Sequence, residues 1–394
     1  MTSRVSKIQA NWLNSPFIQE IAAILGPADV RFVGGAVRDT LVGRTIKDID
    51  AATRWLPEQV SEKLRDAGIK VIPTGIDHGT VTAVRGAEVI EITTLRRDVA
   101  TDGRRATVAF TDDWLEDAKR RDFTMNAIYI AVDGTLYDPF GGAEDAKAGQ
   151  VRFIGDAAER IREDALRILR FFRFHAHYGR GPLDADGWAA VAANVAMLEH
   201  LSVERIRDEL CKLLAAPDPR PCLMAMTDAD IWSHTPVVDI DINGLDRIMA
   251  AEKELGLEAD ILMRLVGLVG SRAASVGRLL KMSNRDSKML KAFSAGFTGS
   301  LPANSKAMRA FLYQHGRDAG QGAVMAHPAC WGSELAETAL RWSIPEMPVR
   351  GRDLIARGMN PGPAISEALR QLEDKWIDSD FSLTGDQLLE TLSA

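Results

Sequence analysis

The sequence predicts an α+β fold, with its strands gathered near the N-terminus and helices filling the rest. Three observations carry that reading. Up to about residue 150, short runs of β-branched and aromatic residues alternate with helical stretches. Beyond Gly155 the strand signals nearly stop, and apolar residues recur at i, i+3 and i+4. With 394 residues, the chain is longer than one ordinary domain.

The elements follow in order. Val30, Arg31, Phe32 and Val33 read as a strand ending at Gly34-Gly35. Residues 46–52 alternate like a second strand, and residues 57–67 have helical spacing with Pro57 in the first turn. Residues 79–84 and 88–94 form a hairpin around Arg85-Gly86; residues 127–132 and 134–137 form another around Asp133-Gly134. Residues 157–176, 185–197 and 202–215 read as helices. Breaks are expected at the prolines of 217–221, at Pro302 and at Pro345 to Pro348.

Composition removes several classes. Hydrophobic residues make up 46% and charged residues 26%, which excludes wholesale disorder. No run of about 18 apolar residues occurs, so no membrane span is expected. The first residues open no apolar stretch, so no secretory leader is expected either. Cys211, Cys222 and Cys330 are odd in number and form no C-x-x-C. They exclude a disulfide framework or zinc ribbon and fit a reducing cytoplasm. The net charge of −7 is unevenly spread. Residues 160–180 carry six Arg against two acids, whereas residues 363–394 carry two basic residues against seven acids. The centre is therefore available for phosphates, and the C-terminal tip is not.

Two motifs in the strand-rich part point to phosphate and metal chemistry. In Phe32-Val33-Gly34-Gly35-Ala36-Val37-Arg38-Asp39, glycines between strand and helix let backbone N–H groups approach a phosphate, and Arg38 could reach the same group. Any tight strand–helix turn also uses glycines. In Lys47-Asp48-Ile49-Asp50, two carboxylates two residues apart on a strand face the same way, about 7 Å apart between Cα atoms. Such neighbours repel unless a cation joins them, and Mg²⁺ suits carboxylate and phosphate oxygens together. The same dipeptide spacing is also common in surface turns.

Taken together, Gly34-Gly35-Ala-Val-Arg38-Asp39 followed by Asp48-Ile-Asp50 resembles the head signature of the class II tRNA nucleotidyltransferases and bacterial poly(A) polymerases. Arg120-Arg121-Asp122-Phe123-Thr124-Met125-Asn126-Ala127 resembles the same family's RRDFTxNA motif. The resemblance implies that Arg121 contacts the nucleotide and that Asp122 orders the site. Glu163-Asp164-Ala-Leu-Arg167, followed by Arg170 and Arg173, resembles its EDxxR motif.

The last motif has its own physics. Asp164 and Arg167 are i, i+3, hence neighbours on a continuous helix. One offers acceptors and the other donors. Adenine and cytosine each present an amino donor beside a ring-nitrogen acceptor, whereas guanine and uracil show a carbonyl beside an N–H. Two side chains can thus template C and A. A solvated helix face with an internal ion pair is the alternative.

The resemblance implies a polymerase-β-like nucleotidyltransferase head over residues 1–150, a helical neck for base recognition over 151–216, a body over 217–295 and an RNA-binding tail over 296–394. It implies that the 3′-OH of a tRNA attacks the α-phosphate of CTP or ATP and releases pyrophosphate. Asp48 and Asp50 would hold Mg²⁺; Gly35, Arg38 and Arg121 would position the triphosphate; Asp164 and Arg167 would read the base, with Arg170 and Arg173 near the nucleotide. Residues 94–110 resemble the flexible loop that helps CCA-adding enzymes switch from CTP to ATP. Glu91 remains either an active-site carboxylate or a strand-edge acid. A poly(A) polymerase, a partial CC- or A-adding enzyme, or a catalytically inactive RNA-binding relative are the alternatives.

Overall fold

The computed structural model describes residues 7–101 and 106–392, and the chain forms two units, Met1–Thr235 and Pro236–Ala394. In the first, the strands are β1 (Val30–Val33), β2 (Ile49–Thr53), β3 (Lys70–Gly75), β4 (Thr80–Arg85), β5 (Glu88–Thr94), β6 (Arg96–Thr101), β7 (Ala106–Phe110), β8 (Tyr129–Ile130) and β9 (Leu136–Tyr137). Seven of them make one mixed sheet in the order β3-β4-β5-β2-β1-β8-β9. Only β2 and β5 pair in parallel; the other neighbours are antiparallel. The register sets Asp50 opposite Val33 of β1 and opposite Glu91 of β5.

The second strand starts three residues later than its alternation predicts, so Asp48 precedes β2 rather than lying in it. The polar stretch expected as a loop at 94–110 instead holds an antiparallel pair, β6 with β7, after Thr94 ends β5 and Leu95 links β5 to β6; residues 102–105 lie outside the described residues.

The helices of this unit are α1 (Pro16–Leu25), α2 (Gly35–Leu41), α3 (Pro57–Asp66), α4 (Trp114–Lys119), α5 (Gly142–Ala148), α6 (Ala157–Glu163), α7 (Leu166–Tyr178), α8 (Ala185–Asn194), α9 (Val203–Leu214) and α10 (Arg220–Asp228). The helix predicted over 157–176 is two helices. Asp164 sits between them with extended backbone (φ −154°, ψ 105°), and its carboxylate accepts from the Leu166 N–H at 3.1 Å. A short acid that bonds nearby backbone competes with the helical ladder, which accounts for the break. Phe123, Phe153, Phe171 and Phe174 pack ring to ring beneath α7, with Phe123 centroids 4.9 Å from Phe153 and 5.1 Å from Phe174. Burying Phe123 draws its neighbour Asp122 under α7.

The second unit contains helices and no strand among its described residues. Helices Asn284–Thr298 and Arg317–Ala326 touch backbone to backbone. A Cβ on Gly296 would stand 1.8 Å from the Ala319 carbonyl oxygen, so only glycine fits. Helix Pro363–Asp378 buries Leu372 and Trp376, and the Trp376 ring meets Phe381 at 5.0 Å. No described helix is long and apolar enough to cross a membrane.

Candidate nucleotide-binding site

The site begins where β1 ends. Gly34 has φ +74°, a conformation that disfavours any side chain. A Cβ there would point between Asp50 Oδ2 at 3.9 Å and an Arg121 guanidinium nitrogen at 4.0 Å. The glycine bend therefore opens a space lined by one acid and one base. Asp50 is half-buried, Asp48 and Glu91 exposed. Burial raises the pKa of Asp50, the negative charges of Glu91 and Asp48 raise it further, and Arg121 only partly offsets them. At this corner three carboxylates act on one another with Arg121 as the opposing charge on Asp50. Carboxylate oxygens grouped in this way fit a hard divalent cation. Among the described residues no three His, Cys, Asp or Glu cluster closely enough to hold a metal by themselves. Two carboxylates leave coordination positions open to phosphate and water.

The arginines are held by a buried scaffold. Arg121 donates to the Tyr129 hydroxyl at 3.0 Å and to Asp117 at 3.2 Å, and that hydroxyl donates to Asp117 at 2.7 Å. Burial pushes the Asp117 carboxyl up, but Arg121, Arg120 and the Tyr129 hydroxyl outweigh it and bring it down to about 2. Asp122 balances in the same way: burial raises it, and Arg170, Asn126 and the Phe123 N–H lower it to about 2. A second chain of contacts crosses from the glycine bend to α7. Arg38 donates to the Asn126 side-chain oxygen at 2.7 Å, the Asn126 amide donates to Asp122 at 2.9 Å, and Arg170 donates to Asp122 at 2.7 Å. Arg38 also donates to the Tyr178 hydroxyl at 2.7 Å, so the glycine-bend helix is tied to the end of α7.

These groups wall a cavity of about 450 Å³, lined by both glycines together with Arg38, Arg121, Asp164 and Arg167, and by Arg170 and Arg205. That is within the range of small-molecule pockets. Asp164 and Arg167 do not pair with each other. Asp164 Oδ2 accepts from Arg205 of α9 at 2.7 Å. Arg167 donates to Glu163 at 2.5 Å and to the Arg160 carbonyl at 2.7 Å.

This arrangement has known counterparts. The chain matches a poly(A) polymerase head-domain family over residues 30–152. It also matches a family described as a probable RNA and SrmB-binding site of polymerase A over residues 182–240. It is 36% identical to the mitochondrial CCA tRNA nucleotidyltransferase 1 of Danio rerio over 93% of this chain and 87% of that protein. It is 35% identical to the human protein of the same name over 92% and 86%. The chain belongs to the class II tRNA nucleotidyltransferase and poly(A) polymerase family. A solved structure of the Bacillus stearothermophilus CCA-adding enzyme in complex with CTP superposes with a TM-score of 0.75 at 30% identity, covering 93% of this chain and 94% of that one.

Within this family frame, the predicted residues divide into two groups. Gly35, Arg38, Arg121, Asp164, Arg167 and Arg170 all line the cavity; Asp50 lies beside the lining residue Gly34, and neither Asp48 nor Asp50 is itself a lining residue. Arg173 does not line it; its guanidinium lies 2.7 Å from the buried Glu209 of α9, and burial lowers its pKa. Asp164 and Arg167 are not neighbours on one helix face, because the helix breaks at Asp164. Sequence reading gave no role to Asp117 and Tyr129, four and eight positions from the Arg121 they hold, or to Asn126 and Tyr178, which reach Arg38 across 88 and 140 positions. It also missed Arg205. That residue lies in a stretch expected to be the neck helix, and nothing in helical spacing singles it out from Glu204 or Arg207.

Proposed function

We propose that the chain is a CCA tRNA nucleotidyltransferase, transferring CMP and AMP from CTP and ATP to the 3′ end of tRNA and releasing pyrophosphate. The observation that carries this reading is the separation of Asp164 from Arg167. Pairing with each other would divert donors and acceptors that a base could use. Each is instead braced from behind by another residue while lining the cavity. A carboxylate acceptor and a guanidinium donor lining one cavity complement the amino group and ring nitrogen of cytosine and adenine. Against guanine or uracil, Asp164 would face a carbonyl and Arg167 an N–H, leaving buried polar groups unmatched.

The remaining roles follow from position. Gly35 lets the triphosphate approach the backbone, and Arg38 and Arg121 contribute positive charge to it. Both are already oriented by Asn126, Tyr178, Tyr129 and Asp117, so little ordering is needed on binding. Arg170 does the same from α7, fixed by Asp122. Arg173 is assigned to the same nucleotide region, acting through its hold on Glu209. Asp48 and Asp50 fit Mg²⁺ and would hold it; when bound, it promotes the attacking hydroxyl and neutralises charge on the leaving pyrophosphate. The head, neck, body and tail divisions at 1–150, 151–216, 217–295 and 296–394 are retained in this reading, with the helical parts gripping tRNA. The three cysteines are not joined in disulfides and two are buried, which supports a reducing compartment such as the cytoplasm.

The test is incorporation on tRNA lacking its end, with Mg²⁺ and each labelled nucleotide in turn. Addition of C, C and then A, stopping after three residues, is expected. Long A tails would instead make it a poly(A) polymerase, CC or A alone a partial enzyme, and no incorporation an inactive RNA-binding relative.

A further inference from the structure

Asp164 occupies an unusual place for a residue that must hold a fixed acceptor. It lies outside both α6 and α7, with extended backbone whose carbonyl is held by the Arg167 N–H. Its carboxylate has two anchors. The Leu166 N–H holds Oδ1 at 3.1 Å, and Arg205, on a separate helix, holds Oδ2 at 2.7 Å. The terminal torsion of an aspartate is broad, so one anchor leaves the second oxygen free to turn. Arg167 is tied to the same turn, since its backbone N–H bonds the Asp164 carbonyl at 3.0 Å, and its guanidinium is held by Glu163 and by the Arg160 and Arg120 carbonyls. Closure of an Asp164–Arg167 pair would turn both halves of the base template toward each other and away from the base.

We propose that Arg205 is a positioning residue for base selection: from α9 it holds the Asp164 carboxylate away from Arg167, so that both present their free faces to the incoming base. The inference rests on the reading of Asp164 given above. It is separate from the packing of α9, which has its own supports. Ile206, Leu210, Leu213 and Leu214 are buried, and Glu209 pairs with Arg173 across to α7. Arg205 and Asp164 are each 29% exposed. An ion pair that open contributes about 0–1 kcal/mol to stability, so it adds little to the fold and its consequence is in the cavity.

The experiment uses the full chain with Arg205→Met, Arg205→Lys, Asp164→Ala and the Asp164→Ala/Arg205→Met double variant. For each, kcat and KM are measured for CTP, ATP, UTP and GTP on tRNA lacking its end, with thermal melting as a folding control. Arg205→Met is expected to raise UTP use relative to CTP by about tenfold or more, the order of loss that follows a small misplacement of a reacting or recognising group. Melting should stay near wild type, and Arg205→Lys, which keeps a donor and a charge, should recover most of the discrimination. The double variant should choose no more loosely than Asp164→Ala alone.

An equal loss with all four nucleotides, or unchanged ratios, in Arg205→Met while Asp164→Ala relaxes selection would overturn this inference and leave the Asp164 reading intact. Unchanged selection in Asp164→Ala would remove that reading and this inference with it.

Discussion

Each unit of this protein buries an arginine–carboxylate pair, and the two pairs differ in what they leave exposed. In the second unit, Arg264 and Glu252 are 4% and 6% exposed and bind each other through two guanidinium nitrogens, at 3.0 and 2.7 Å. In the first, Arg170 donates through two nitrogens to one Asp122 oxygen, while the other oxygen passes the contact through Asn126 to Arg38, and both arginines line a cavity. Burying charge is costly either way. The lesson is that a buried ion pair marks a binding site only when one partner still faces open space.

The comparison can be broken most severely at the acidic corner. Asp48→Ala is expected to lower nucleotide incorporation by about 10³-fold or more, while tRNA binding, read by filter retention or fluorescence anisotropy, persists. Near-normal incorporation would remove the metal-holding role.

The second unit should behave in the opposite way. Glu252→Ala leaves Arg264 buried without its charge partner and should destabilise that unit by about 3–5 kcal/mol, read from urea unfolding. A loss below about 1 kcal/mol would mean that the pair is not buried as described.

Asp122→Asn sharpens the contrast, because it removes charge while keeping an acceptor for the Phe123 N–H. Arg170 then loses its hold, and KM for CTP and ATP should rise together by about tenfold. A change in choice between the nucleotides, with KM unchanged, would contradict a triphosphate-side role for Arg170.

The smallest effect is in acid. Asp117 and Asp122 both fall from the ordinary value of 3.8 to about 2 in the folded protein. Between those values the unfolded chain binds more protons than the folded one, so the stability they contribute is complete above about pH 4 and is lost as pH falls toward 2. Acid denaturation of Asp122→Asn should show a shallower fall over that window than wild type.

Much of this was legible from the residues in order. Val30 to Val33 forms the predicted strand, and the hairpin around Arg85-Gly86 appears with near-identical limits, because alternation and turn residues agree there. The short strand β3 was not legible. Lys70 to Gly75 contains Pro73 and lies at the edge of the sheet with half its face exposed, so no apolar alternation marks it. The break at Asp164 was hidden because Ile161, Ile168 and Leu169 continue the apolar spacing across it, while a side-chain bond to Leu166 interrupts the backbone. In the site, local motifs pointed to Gly35, Arg38, Arg121, Asp164, Arg167 and Arg170, which line the cavity, and also to Asp48, Asp50 and Arg173, which do not. They could not reveal which residues hold them in place, because Tyr129, Asn126, Tyr178 and Arg205 meet their partners across 8, 88, 140 and 41 positions.

The most direct test is a structure of the chain with CTP bound. The account predicts the cytosine amino group within hydrogen-bond distance of an Asp164 carboxylate oxygen and ring N3 within reach of an Arg167 N–H, with Arg205 still on Asp164. A cytosine whose pairing edge faces solvent, or meets neither side chain, would contradict it.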